Sequence, residues 1–187
     1  MTRPSTSLSL LILVLFASPA LAADHSVASA ADILRIAPAA APGDGLIMTD
    51  GEWTDQRIAF TARGTPDKPI ALRAQTPGKV ILTGNSSLII DGEHVIVSGL
   101  LLKDGKDATD GIRINGSHCR LTDSAIIDST YKFYIHLAGT ENRFDHCYLA
   151  GKTSESPTLQ IEAEAKPNHH QIDVAYRSAV PGKYIEA

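Results

Sequence analysis

Two basic residues beside short apolar segments are the candidates for binding an anionic ligand. Lys152 lies in Gly151-Lys152-Thr153, where the chain leaves one such segment, and Arg143 opens that segment in Arg143-Phe144-Asp145. Lysine and arginine side chains in these positions could hold the carboxylates of a polyanion. The alternative is that both are ordinary surface cations. Gly151-Lys152-Thr153 is not a phosphate-binding loop, because the earlier glycine of that motif is missing.

Histidine and aspartate clusters could bind a metal ion, but their spacing argues against it. His169 and His170 are poor joint ligands, because adjacent residues of a strand face opposite sides. The segment 104–111 is acidic, yet Lys106 stands where an EF-hand loop needs an oxygen ligand. We interpret it as a solvated loop. His118 and His146 do not share a position in the repeat described next, so we predict no metal ligand among these residues.

A sequence repeat predicts the scaffold that carries these residues. Gly92, Gly116 and Gly139 are 24 and 23 residues apart, and each stands between short segments rich in Ile, Val and Leu. β-branched residues separated by Gly, Asn and Asp turns favour strands over helices. Three strands and three turns per repeat describe one coil of a parallel β-helix, which buries its apolar edge on neighbouring coils. A leucine-rich horseshoe is the main alternative, but its asparagine and leucine spacing is absent.

The repeat also divides the chain. We assign residues 42–173 to β-helix coils, with a weaker fourth copy of the repeat between residues 159 and 173, and residues 174–187 to a tail without the repeat. Residues 23–41 are predicted to form a helix over Asp24 to Ala37, capped by Ser29 and Asp32, followed by a linker. Such a helix could cover the open apolar end of the first coil.

Residues 1–22 read as an export signal. Arg3 is followed by an apolar run from Leu8 to Ala17, and Ala20-Leu21-Ala22 fits the small-residue cleavage pattern. The apolar run is too short for a membrane span. We therefore expect a secreted or periplasmic protein that begins near Ala23 and does not associate with the membrane after cleavage. The alternative is a buried N-terminal helix.

Charge and cysteine content restrict the class of partner. The formal net charge of −4 becomes −5 without Arg3, which argues against nucleic acid, whose binding needs a basic stripe. Cys119 and Cys147 could form a disulfide outside the cytoplasm. Aligning Leu121 with Phe144 places them in different rows, which favours two buried thiols. The single tryptophan, Trp53, is expected to fill the core or the capped end, and a sugar-stacking platform is the alternative.

Longer motifs resemble one enzyme family. In chain order they resemble polysaccharide lyase family 6, the alginate lyases and chondroitinase B-like enzymes, over roughly residues 39–173. The resemblance implies an all-β, right-handed parallel β-helix and a uronate-containing polysaccharide as substrate. The motifs are Pro42-Gly43-Asp44 with Asp50-Gly51, residues 68–74, Gly78-Lys79-Val80 with Thr83-Gly84, residues 142–148, Gly151-Lys152-Thr153 with Pro157-Thr158-Leu159, and residues 168–173.

The resemblance implies β-elimination next to a uronate. That reaction needs a cation to neutralise the carboxylate, a base for the C5 proton and an acid for the leaving oxygen. In the family these roles belong to a calcium ion held by Asn and Glu residues, a lysine and an arginine, in coils further along the chain than this sequence reaches. We therefore expect no catalytic residue and no cofactor in this chain, which reads as a C-terminally truncated, N-terminal part of a lyase.

Three functional hypotheses remain open. The first is an exported alginate (poly-mannuronate) or glycosaminoglycan lyase of which this chain is a part that does not catalyse alone. The second is a non-catalytic β-helix that binds acidic polysaccharide through Lys152 and Arg143. The third is a nonfunctional gene fragment. An acidic polysaccharide is the expected partner in the first two, and the sequence gives no indication of oligomeric state.

Overall fold

The computed structural model describes residues 21–106, 110–162, 169–176 and 185–186. Within these residues the chain forms 17 strands, a single α-helix and one short 3-10 helix. All paired strands in the two sheets run parallel, and successive coils stack into a solenoid of about six turns. The prediction of a parallel β-helix is confirmed.

The coils present three flat faces, which we call A, B and C. Face A contains β1 Asp24–Val27, β2 Gly45–Met48, β5 Ile70–Ala74, β8 Val95–Ser98, β11 Arg120–Thr122 and the first residues of β14 Arg143–Ala150 and β16 Gln171–Tyr176. Face B contains β3 Gly51–Thr54, β6 Val80–Gly84, β9 Leu100–Gly105, β12 Ala125–Ile127 and the last residues of β14 and β16. Face C contains β4 Arg57–Phe60, β7 Ser87–Ile90, β10 Ile112–Ile114, β13 Ile135–Leu137, β15 Leu159–Ile161 and β17 Ile185–Glu186.

The core is a set of apolar columns inside the coils. Strand residues alternate between the interior and the outside, so equivalent positions of successive coils stack directly. The inner column of face A is fully buried and consists of Leu46, Leu72, Val97, Leu121 and Phe144. The alternate positions of the same strands point outward, and they carry the polar residues described below.

The marker glycines of the repeat stack at the turn between faces C and A. Bridges from Glu93 to Ser117 and from Ser117 to Thr140 hold the three turns in register. At Gly116 a Cβ atom would collide with the carbonyl oxygen of Gly92, and Gly139 adopts a φ of +70°. The repeat is visible in the sequence because only glycine permits this close approach of coil to coil.

The N-terminal segment differs from the predicted helix. Asp24–Val27 is a strand that pairs in parallel with β2, and the helix α1 spans only Ala30–Ile36, followed by the 3-10 helix Ala37–Ala39. Ser29 caps α1, since its Oγ accepts a hydrogen bond from the amide of Asp32 at 3.1 Å. The helix prediction was wrong for Asp24 to Val27, because these residues pair instead with the edge of β2, which lies 21 residues further along the chain.

Strand pairing also continues past the predicted end of the coils. β16 follows the backbone of β14 as far as Tyr176, and β17 pairs with β15. The predicted tail without the repeat, 174–187, therefore contributes strands to faces B and C. Main-chain pairing explains this difference, because a ladder requires only backbone donors and acceptors and no recognisable side-chain repeat.

Both cysteines and the tryptophan occupy the predicted environments. Cys119 and Cys147 are free and buried, and burial raises their pKa values to about 11 and about 12. Trp53 is 5% exposed, and its Nε1 donates to the carbonyl of Thr49 at 3.1 Å. No helix among the described residues is long and apolar enough to cross a membrane.

Candidate functional site

The outer side of face A carries a cluster of charged residues from two adjacent coils. Arg120 of β11 stands in register with Arg143 of β14, and Thr122 stands in register with Asp145. Their inward neighbours, Leu121 and Phe144, are fully buried, so the two-residue alternation of the strands directs the charged side chains outward. We call Arg120, Arg143 and Asp145 the face A cluster.

Asp145 is the centre of the face A cluster. The Nε of Arg120 donates to both carboxylate oxygens at 3.1 and 3.2 Å, and Arg143 Nε donates to Oδ2. The Asp145 side chain is fully buried, whereas those of Arg120 and Arg143 are 36% and 41% exposed. Two guanidinium groups on one carboxylate leave a net positive charge of one, and both arginine side chains are partly exposed.

Electrostatics keep Asp145 ionised. Burial alone would raise the pKa of Asp145, but hydrogen bonds from Thr122, Arg120 and Arg143 outweigh it and hold the pKa below its ordinary value. The carboxylate therefore remains charged at neutral pH and fixes both guanidinium groups. A fixed guanidinium has further N–H donors for a second carboxylate, which is the geometry that suits a uronate.

A shallow groove of about 260 Å³ lies beside the cluster, along the turn that leads into face A. Its walls include Arg120, Arg143 and a short histidine stack. The rings of His94 and His118 lie 4.5 Å apart at an interplanar angle of 10°, and His118 Nδ1 is 3.0 Å from Glu141 Oε2. The polar groups and stacked rings along this groove form a surface that could bind a polar polymer.

Lys152 occupies a different environment from Arg143. Its residue is only 5% exposed, and Nζ donates to the carbonyl of Ser154 at 3.2 Å and to the Ser154 hydroxyl. Nζ also lies 5.8 Å from the ring centre of Tyr134, which directly precedes β13 of face C. The structure therefore separates the two predicted binding residues, with Arg143 on face A and Lys152 buried between faces B and C. A binding role for either residue stays a prediction.

Face C carries a second charged network that the sequence did not reveal. His136 is 6% exposed and lies between two carboxylates, with Nδ1 2.7 Å from Asp110 Oδ2 and Nε2 2.8 Å from Glu162 Oε1. Arg113 Nη2 also contacts Glu162 Oε1 at 2.8 Å. The acidic loop predicted at 104–111 thus supplies Asp110 to an ion network. Residues 107–109 of that loop lie outside the described residues.

The described residues do not fit the calcium ion that the resemblance implies. No group of three or more His, Cys, Asp or Glu side chains within them is arranged to hold a metal. The buried carboxylate of face A, Asp145, already has its oxygens bound by arginines. His169 is exposed, and His170 accepts a hydrogen bond from the Asn142 amide, so the two do not converge. We derive no step through calcium.

Sequence reasoning missed Arg120 and Asp145, although the repeat contained the signal. Arg120 precedes Arg143 by 23 residues, which equals the last step between the marker glycines. The position one repeat before Arg143 is Arg120, so the repeat alone predicts two cations side by side on adjacent coils. The burial of Asp145 could not be read in this way, because it depends on the two guanidinium groups that cover it.

Comparison with known proteins places this architecture among polysaccharide lyases. The sequence model of the family described as Chondroitinase B matches residues 27–184. The solved PL6 family alginate lyase AlyGC is similar, with 37% identity over 80% of this chain and 23% of that chain, and a TM-score of 0.76. No curated protein gives a significant match.

Two further solved structures agree. The PL6 family polysaccharide lyase Pedsa3628 from Pseudopedobacter saltans is 28% identical over 86% of this chain and 41% of that chain, with a TM-score of 0.75. A mannuronic acid specific polysaccharide family 6 lyase from human gut microbiota is 28% identical over 87% of this chain and 43% of that chain, with a TM-score of 0.74. The chain thus spans between 23% and 43% of these three proteins.

Proposed function

We propose, from the premise that this chain belongs to the Chondroitinase B family and resembles lyases of polysaccharide family 6, that its coils bind a uronate-containing polysaccharide for cleavage by β-elimination. The similar solved structures are described as alginate and mannuronic acid lyases, which supports alginate as the polymer. The role that we assign to the described residues is binding, and we assign the catalytic base and acid to none of them.

The observation that carries this proposal is the face A cluster. Arg120 and Arg143 stand on adjacent coils, which are separated by the strand spacing of about 4.8 Å, and both project outward. The protein as a whole is acidic, with a formal net charge of −4, so general attraction for a polyanion is unfavourable. Binding of an acidic polymer therefore requires a local cationic surface of this kind.

The chemistry assigned to the cluster is neutralisation of uronate carboxylates. A guanidinium pair can accept the carboxylate in a bidentate manner and hold the sugar along face A. Asp145 keeps the two arginines in fixed rotamers, so less side-chain entropy is lost when the polymer binds. A neutralised carboxylate also makes its neighbouring C5 proton easier to remove, because the enolate-like charge is stabilised.

The binding test compares arginine variants on immobilised alginate. We expect retention of the protein to weaken as salt is added, and Arg120→Gln and Arg143→Gln each to weaken binding by about tenfold, the value of one charge-assisted hydrogen-bond pair. Arg35→Gln removes the same charge from α1, where Arg35 is exposed, and serves as the matched control. Equal retention of all four proteins would contradict the assignment of face A.

The same preparation tests the division between binding and cleavage. Alginate incubated with the purified 187-residue chain should remain intact, as measured by the ultraviolet absorbance of unsaturated uronate ends. Release of such ends would refute the assignment of binding alone and would place the base and acid within this chain. Binding without cleavage is also what a non-catalytic polysaccharide-binding protein would show. Adding the further coils of a similar lyase distinguishes the two, because a chain that forms part of a lyase should then show turnover.

We also infer that the protein acts outside the cytoplasm. The export pattern of residues 1–22 supports this inference, and so does a polymeric substrate of the kind that the similar lyases cleave. Fractionation of cells that express the full chain tests it, because an exported protein should be recovered from the periplasm or the medium.

A further inference from the structure

A buried carboxylate stands next to the predicted cleavage position at the start of the fold. Asp44 is only 6% exposed, and its Oδ1 accepts a hydrogen bond from the backbone N of Ala23 at 2.8 Å. Ala23 is the first residue after the Ala20-Leu21-Ala22 pattern. The atom that Asp44 holds is therefore the nitrogen that would become the new α-amino group if the chain were cut after Ala22.

The backbone around Asp44 is fixed, so the carboxylate is positioned before any cleavage. The Asp44 amide donates to the carbonyl of Ala41 at 2.9 Å, and the Asp44 carbonyl accepts from the Ala71 amide at 3.0 Å. Its second carboxylate oxygen accepts from the Ala41 amide at 2.8 Å. These contacts tie the Asp44 turn to β5 of the next coil.

Ala23 is fixed as well, because it belongs to the same ladder as β1. Its carbonyl accepts a hydrogen bond from the Gly45 amide at 2.8 Å, directly before the paired residues Asp24 and Gly45. A new amino group on Ala23 would thus remain beside Asp44. By contrast, Leu21 is 94% exposed and Ala22 is exposed as well, so a protease can reach the bond between Ala22 and Ala23.

Among the residues that the structure describes, no lysine or arginine forms an ion pair with Asp44. Among the described residues His25 is its only ion-pair partner, with Nε2 at 3.4 Å from Oδ2. Hydrogen bonds from the backbone amides of Ala23 and Ala41 lower the pKa of Asp44, so the buried group is ionised. A cation placed at hydrogen-bond distance would favour the charged form of this carboxylate further.

We propose that Asp44 is the receptor for the α-ammonium group of Ala23, which is created when an endopeptidase of the signal-peptidase class hydrolyses the Ala22–Ala23 bond. Water adds across this bond, so that Ala22 leaves with a new carboxylate and Ala23 retains the amine, which takes up a proton at neutral pH. The neutral hydrogen bond between Ala23 and Asp44 becomes an ion pair. Cleavage one residue later would put the bulky Leu21 at the third position before the cut and would remove the docked nitrogen.

The ion pair makes stability depend on pH in a defined direction. An α-amino group has a pKa of about 7.7–8.0 in an unfolded chain, and a carboxylate at hydrogen-bond distance raises it in the folded chain. Its contribution is therefore complete below about pH 7.5 and is lost as the pH rises through the folded pKa. The other charged groups around this site are Asp24, which pairs with Arg73, His25, and the groove residues Asp67 and Lys68.

The first experiment uses the full chain, expressed with its leader and recovered after export. We expect N-terminal sequencing and intact mass to give a protein that begins Ala-Asp-His-Ser. Any other N-terminus would overturn the proposal. This result does not depend on polysaccharide binding, so it can fail while the proposed function stands.

The second experiment measures how fast the α-amino group reacts with an amine-directed acylating reagent at pH 7.5. The docked ammonium should react at least about fivefold more slowly in the exported wild type than in Asp44→Asn, because the ion pair disfavours the neutral amine. Asp24→Asn is the matched control, since Asp24 is adjacent and exposed but pairs with Arg73. Equal reactivity of wild type and Asp44→Asn would overturn the proposal.

A third measurement remains informative if Asp44→Asn does not fold. One alanine inserted between Ala22 and Ala23 keeps Asp44 but moves the new amino group one residue away. We expect the Tm of the wild type to exceed that of the insertion variant by about 2–4 °C at pH 7, and the difference to disappear near pH 10. His25→Gln should leave this alkaline change intact, because it removes the imidazole that pairs with Asp44 but keeps the α-amino group of Ala23. A Tm difference between the two proteins that does not change with pH would contradict the proposed ion pair.

Discussion

Asp145 determines the arrangement of both arginines on face A, and its removal has a predictable cost. Asp145→Ala leaves two half-buried guanidinium groups without their shared acceptor, so we expect a loss of about 2–4 kcal/mol in the free energy of unfolding. Denaturant titration at pH 7 measures it. Asp123→Ala is the matched control, because Asp123 lies on the neighbouring coil with its side chain 63% exposed. Similar losses for the two variants would contradict the central role of Asp145.

The pH dependence of the same variant has a definite sign. The folded pKa of Asp145 is lowered, so its stabilising contribution is present above the unfolded value of about 3.9 and is lost as the pH falls through the folded pKa. The difference in stability between wild type and Asp145→Ala should therefore begin to shrink below about pH 4 and become smallest once the pH is below the folded pKa.

Lys152 is expected to destabilise the fold while it is charged. Burial lowers its pKa to about 8, below the unfolded value of about 10.4, so the unfolded chain binds more protons between these two pH values. The contribution of Lys152 to the free energy of unfolding should thus rise with pH in that interval. Lys152→Met should raise the free energy of unfolding at pH 7 by about 1–3 kcal/mol and remove the rise.

Unfolding at pH 7, 8.5 and 10 checks this prediction for Lys152. Lys103→Met makes the same change at a side chain that is 44% exposed and should affect stability little at any pH. A wild type whose stability does not rise relative to Lys152→Met would show that the ammonium is not desolvated. The sequence could indicate a cation in Gly151-Lys152-Thr153, but its burial follows from the path of the loop over Tyr134.

At the scale of elements, α1 closes the open end of the first coil. Ile33 is fully buried and packs into the core, whereas Leu34 on the same helix is 58% exposed. Ile33→Ala should cost about 2–4 kcal/mol in the free energy of unfolding, while Leu34→Ala serves as the matched control and should change it by less than about 0.5 kcal/mol. Thermal and denaturant unfolding provide the measurement. Equal effects would show that α1 does not act as a cap.

The elements also show what the sequence could reveal. Strands of the coils were predictable because glycine turns recur at a fixed step and the residues between them alternate. Strand β1 was not predictable. Its four residues, Asp24–Val27, are too few to show a pattern, and their partner strand Gly45–Met48 is distant in sequence. The face A cluster was half predictable: Arg143 was identified, but its partners require knowledge of the register between β11 and β14.

The whole molecule combines an acidic chain with two outward cations on adjacent coils, at residues 120 and 143. Inner columns hold the coils in register, and that register brings residues 23 positions apart to strand spacing. A polymer that runs along the stack would meet the two arginines in succession. Asp44 acts at the first coil in the same way, because the register of β1 against β2 places Ala23 beside it. Both sites therefore depend on coil stacking.

Coil stacking predicts how local unfolding is distributed through the molecule. Each coil contacts only its neighbours, so stability is approximately a sum of coil and interface contributions. β8 and β11 are paired on both sides, whereas β17 at one end of face C pairs only with β15 among the described strands. We expect native-state hydrogen exchange to be slowest for the amides of β8 and β11 and at least about a hundredfold faster for those of β17.

Two core variants test whether this gradient reflects nearest-neighbour coupling. Leu121 is fully buried in a central coil, and Leu159 is 3% exposed in β15. Either residue changed to alanine should cost about 2–5 kcal/mol locally. Leu121→Ala should accelerate exchange in the coils on both sides, including β8 and β14, whereas Leu159→Ala should accelerate it in β13, β15 and β17 and leave β2 and β5 protected. Uniform acceleration of all strands in both variants would contradict coil-by-coil coupling, because it would show that the β-helix opens only as one cooperative unit.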